Sequence, residues 1–193
     1  MGLFDRFKKK PEAAAPETPA GRDIQAKEEK QLFLEIAELI SGGDKAVLEE
    51  VTACVTDTAG YFAAHQDRYM ERGMDGGEDP GIIRWIGLVD ILEARGHVCE
   101  RDWKDEKEDF LYFLGKLSGM ERLGLTVQED WLFEDGDIPV WREIIDSQWK
   151  PRQCQVGMIG IDSDSYVLFA CTLEDLARRE KLAQVTDYSS DKV

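Results

Sequence analysis

Apolar residues fall at helical spacing over most of this chain and at strand spacing in a few short runs, so the pattern predicts a mostly helical fold with a small sheet. Helical periodicity sets in at Ala26, where Leu32, Ile36, Leu39 and Ile40 form one stripe that Gly42-Gly43 ends. Asp44 can cap a second helix carrying Val47, Leu48, Val51 and Val55, because its carboxylate accepts from backbone N–H groups that the first helical turn leaves free. A third helix is expected from about Asp57 to Arg72, with Tyr61, Phe62, His65 and Tyr69 along one side. Glycine and proline make 73–81 a loop. Pro80 suits a helix start, where a missing N–H costs nothing, and Ile82–Ala94 is the most apolar helix, stopped by Gly96.

His97–Trp103 is expected as a short strand, and Asp105–Leu117 as a helix turning Phe110, Leu111, Phe113, Leu114 and Leu117 inward. Residues 118–138 carry no clear period. Pro139 opens another helix, with Trp141, Ile144, Ile145 and Gln148 on one face. The clearest local signal follows: two apolar runs, Val156–Ile161 and Tyr166–Cys171, flank Asp162-Ser163-Asp164-Ser165 and predict a β-hairpin with a polar turn. Thr172 and Asp175 form a capping-box-like start to a last helix. The expected class is α+β, with helices packed on one face of a small, mainly antiparallel sheet that includes the C-terminal hairpin.

Composition adds the organisation around that domain. The 193 residues are 42% hydrophobic and include five Trp, five Tyr and eight Phe, enough for a core and too aromatic for a disordered acidic chain. Residues 1–10, MGLFDRFKKK, form an amphipathic basic tip, and Pro and Ala make 11–25 a linker. A single domain is expected over 26–185, with 186–193 as a tail. The tip gives at most a weak membrane-surface contact, because Leu3, Phe4 and Phe7 bury little and Arg6 breaks the myristoylation pattern. With no apolar run long enough to span a bilayer and no leader-like start, a cytoplasmic protein is expected. Cys54, Cys99, Cys154 and Cys171 are widely spaced and are expected as buried, reduced side chains.

Charge narrows the partners. The formal net charge is −16, and without residues 1–21 the remainder stands near −17. Such a field repels nucleic acid and anionic lipid and attracts a basic protein partner. The acids concentrate at Glu129, Asp130, Glu134, Asp135 and Asp137, interrupted by Trp131, Leu132 and Phe133. The spacing does not match a calcium-binding loop. The run reads either as a solvated loop or as a docking surface in which aromatic anchors sit among steering charges, for which the candidates are Trp131, Phe133, Glu134 and Asp135, with Trp103 and Asp105 next. No catalytic residue, cofactor or metal ligand is assigned: His65 and His97 are expected as packing residues, and no phosphate-binding loop or nucleophile elbow is present. The alternative is a metal-assisted hydrolase, which requires Asp102, Asp105, Asp162 and Asp164 to converge. The oligomeric state does not follow from the sequence.

The segments WIGLVDILEARGHVCERDWKDEKEDFLYFL, WREIIDSQW and IDSDSYVLFACTLEDL together resemble a bacterial domain family of unknown function, over roughly 28–184. In size and acidity that family is loosely similar to immunity-type proteins of bacterial conflict systems. The resemblance brings no catalytic residues with it, and an immunity-like or regulatory role would fit the acidic surface.

Overall fold

A computed structural model describes the backbone of residues 19–178 and the side chains from Lys27 onward. The basic tip, the start of the linker and the C-terminal tail lie outside the described residues. Helix α1 (Pro19–Ser41) begins ahead of Ala26, inside the stretch expected as linker. Helix α2 (Lys45–Thr56) is opened by Asp44, whose Oδ1 accepts from the N–H groups of Ala46 and Val47 at 2.9 and 3.4 Å. The helix expected over 57–72 is two, α3 (Thr58–Ala64) and α4 (Gln66–Glu71), broken at His65 with φ −122°. Tyr61 and Tyr69 are buried on either side of that break, so the apolar spacing runs through it and hides it. Helix α5 (Pro80–Ala94) is capped by Asp79 and packs closely on its neighbours. A Cβ at Gly87 would stand 2.6 Å from Tyr69 Oη and 2.8 Å from Cys54 Sγ, which explains a glycine in mid-helix.

Strand β1 (Cys99–Asp102) is shorter than expected. Helices α6 (Lys107–Gly115) and α7 (Ser118–Leu123), and a 3-10 turn at Glu129–Trp131, lead to α8 (Ile138–Trp149). The hairpin then forms as β2 (Cys154–Ile159) and β3 (Ser165–Thr172). The final helical turns at 173–178 carry the expected cap: the Asp175 N–H donates to Thr172 Oγ1 at 3.0 Å, and that hydroxyl donates to Asp175 Oδ2 at 2.8 Å. Within α6, Phe113 is exposed where an inward position was expected. On α8, Gln148 is exposed and Trp149 takes the buried position.

The sheet is antiparallel throughout, in the order β1-β3-β2. The α+β class is as expected, but the helices cover both faces of the sheet instead of one. Val167, Phe169 and Cys171 of β3 pack with α1, α2 and α5, while Leu168 and Ala170 pack with α6, α7 and α8. A central strand buried on both sides needs apolar residues at successive positions, and Val167–Cys171 supplies that run. The four cysteines are buried thiols, as expected. Burial pushes the Cys54 thiol up to about 11 and the Cys99 thiol up to about 12, which keeps both protonated at neutral pH.

Candidate functional site

The acidic segment 129–135 is held from below. Leu132 is buried, and the indole N–H of Trp141, itself buried on α8, donates to the Phe133 carbonyl at 2.9 Å. The Gly136 N–H donates to the same carbonyl at 3.3 Å, and the Trp141 ring fills the space a side chain at Gly136 would need. Upstream, the Trp149 indole donates to the Thr126 carbonyl at 3.0 Å. The backbone is therefore fixed while the Phe133 side chain stands 69% exposed. Glu134 and Asp135, next along the chain, are exposed, as is Glu129, which shares Lys107 with Glu134. Trp131 behaves differently: it is half-buried and packs against the cluster beneath α6 and α8.

The loop 129–135 meets the first turn of α6 at Lys107. Its ammonium lies 2.5 Å from Glu134 and 3.8 Å from Glu129, and the hydrogen bond to Glu134 raises its pKa. Residues 103–105 immediately precede that turn, so the loop and the end of β1 share one side of the molecule. Trp103 is 52% exposed, with Lys104 Nζ 4.7 Å from its ring centroid. Asp105 is turned away from a partner: it accepts from Arg101 Nε and Nη2 at 2.5 and 2.8 Å. Arg101 in turn lies 3.8 Å over the Phe113 ring, and Lys116 lies 3.8 Å over Tyr112. Hence the surface has two halves, an acidic one around Phe133 and one in which exposed rings carry the chain's own cations.

The four aspartates of the hydrolase alternative do not form a metal site. Asp102 faces Ser165 across the β1–β3 pair, which brings it near the hairpin turn, but its Oδ1 accepts from the Lys104 N–H at 2.8 Å. Asp162 takes φ 53° within that turn, a conformation Asp tolerates better than most residues. Asp105 is committed to Arg101. Among the described residues, no group of three His, Cys, Asp or Glu side chains is placed to hold a metal ion.

One constellation was missed by sequence reasoning. Ser118 Oγ lies 2.5 Å from His97 Nδ1, and His97 Nε2 lies 3.1 Å from Asp44 Oδ2. With the carboxylate accepting, Nε2 carries the proton and Nδ1 accepts from the Ser118 hydroxyl. The order hydroxyl, imidazole, carboxylate is the one a nucleophile, base and orienting group would have. Here each member is also a joint: Asp44 caps α2, the His97 N–H donates to Leu92 O, and the Ser118 N–H donates to Gly96 O at 2.8 Å. His97 is 6% exposed and both its ring nitrogens are engaged, so the chain pins the ends of α2, α5 and α7 together. Its hydrogen bond to His97, ahead of those from the Ala46 and Val47 N–H groups, holds the Asp44 carboxyl below its ordinary pKa. No sequence signal announces the constellation, because its members are separated by 53 and 21 residues.

Fold and site define an α+β domain whose three-stranded antiparallel sheet is covered by helices on both faces, with a pinned acidic loop on one side. Among the described residues no helix is long and apolar enough to cross a membrane. The chain belongs to the family described as domain of unknown function DUF6630, whose model matches residues 32–192. No curated protein and no solved structure matches it.

Proposed function

We propose that this domain is a cytosolic protein-interaction module, immunity-like or regulatory in role, that docks a basic protein partner on the loop 129–135. The observation that carries the reading is Phe133: a large apolar side chain held out into solvent on a backbone fixed by Trp141, in a segment that also carries the exposed Glu129, Glu134 and Asp135. A loop fixed before binding loses little conformational freedom when a partner arrives, so more of the contact energy remains as affinity. Burying such a ring at the centre of an interface is commonly worth about 2 kcal/mol or more. Glu129, Glu134 and Asp135 together carry more charge than Lys107, which pairs with the first two, can neutralise, and so favour a Lys- or Arg-rich partner and speed its approach. Trp103 belongs to the edge of this surface, since the cation over its ring disfavours a basic partner there.

Affinity capture from the native cell, with wild type, Phe133→Ala and Glu134→Lys/Asp135→Lys run side by side, tests the proposal. A basic protein retained by wild type and lost by both variants, at unchanged melting temperature, is the expected result. Equal capture by all three would remove the loop from consideration. Phe133 is a cleaner probe than Trp131, whose truncation also removes packing from the core.

A further inference from the structure

A three-stranded sheet has two edges, and each exposes backbone N–H and C=O groups that could pair with a strand from another molecule. Among the described residues β1 and β2 are those edges and β3 is central. On β1 the Glu100 N–H points outward and donates to Glu93 Oε1, from the last turn of α5, at 2.9 Å. On β2 the Val156 N–H points outward and donates to Asp146 Oδ1, on α8, at 2.7 Å. The registers agree with outward donors at both positions. Opposite residues in antiparallel pairs alternate between bonded and non-bonded, and Glu100↔Val167 and Val156↔Ala170 occupy the non-bonded sites.

We propose that Glu93 and Asp146 are plugs that close the two edges of the sheet against strand addition by a second copy of this chain. The supporting side chains fit that role. Glu100 itself is fixed by Arg72 Nη1 at 2.8 Å, and Arg72 also binds Asp90 at 2.6 Å, which joins the end of α4 to α5 and β1. At the other edge, Arg142 lies 3.6 Å from Asp146 and reaches Met158, the next outward-facing residue of β2. Both plugs come from helices that also cover the sheet's faces, α5 on one side and α8 on the other. The fold therefore seals its edges with the same elements that build its core.

Hydrogen exchange on the wild-type protein is the first test. The Glu100 and Val156 amides should exchange as slowly as the ladder amides of β3, and exchange at the rate of open edge amides would overturn the proposal. Sedimentation velocity on variants is the second. Glu93→Ala and Asp146→Ala remove the acceptor and should raise the self-association constant on the order of tenfold, with an amide I band of intermolecular strands. Glu93→Gln and Asp146→Asn keep a carbonyl acceptor and should stay as monodisperse as wild type. Val51→Ala weakens the core away from both edges and controls for association caused by lost stability alone. Folded alanine variants that associate no more than wild type, or amide variants that associate as the alanine ones do, would refute the plug.

Discussion

At the scale of single residues, the polar side chains that matter are those given two jobs. Asp44 offers one oxygen to the first turn of α2 and the other to His97. Half of that arrangement was legible, since Asp just before an amphipathic stripe is a strongly preferred N-cap. The other half was not, because nothing local says that His97 will fold back onto it. The pH consequence follows from its lowered pKa. A carboxylate whose folded pKa lies below its unfolded value of about 3.9 stabilises the fold fully above that pH and loses the contribution as pH falls through the folded value. Asp44→Asn keeps an acceptor and discards the charge. The stability gap between wild type and this variant, from urea titrations at a series of pH values, should be constant near neutrality and close below about pH 4. A gap that widens on acidification would contradict the assignment. Asp90, Glu93 and Asp146 move the other way, raised by burial, so their ionisation weakens the fold as pH climbs through their raised values.

Among the elements, strand β3 shows most clearly what periodicity conveys. The run Tyr166–Cys171 reads as a strand, and its partner and turn with it, because hairpin chemistry is local. Burial of both faces depends on helices far away in sequence, which the local pattern that predicts one covered face does not record. Burial on both faces has a measurable signature. Leu168→Ala and Phe169→Ala, on opposite faces, should each destabilise the domain by about 2–5 kcal/mol, read as a drop in the urea midpoint at unchanged slope. A one-faced sheet would make one of the two nearly neutral. The exposed Phe113 teaches a related lesson, since Arg101 stacks on its ring and lets an aromatic residue sit at the surface. Arg101 is held there by Asp105, and that pairing took a candidate docking carboxylate out of the site.

For the whole molecule, charge governs encounters and packing governs what is presented. The surplus of acids over bases makes a long-range field, and a basic partner should associate at a rate that falls steeply as ionic strength rises. Stopped-flow mixing of the captured partner with wild type should show that fall. Phe133→Ala should leave the salt dependence of the on-rate intact and raise the off-rate, because the ring contributes contact and not field. An on-rate indifferent to salt would count against electrostatic steering.

The sequence by itself determined the helical stripes, the hairpin, the caps at Asp44 and Thr172, the buried cysteines and the acidity of the loop 129–135, all of which depend on residue type and near neighbours. Only the tertiary structure decided that helices sheathe both faces of the sheet, that Trp141 holds the Phe133 backbone, that Asp105 belongs to Arg101, and that Glu93 and Asp146 meet the sheet's edges. Those outcomes are contacts between segments distant along the chain. A hydrogen bond or a buried face at that separation depends on how the elements pack, and the spacing of residues within one element carries no record of it.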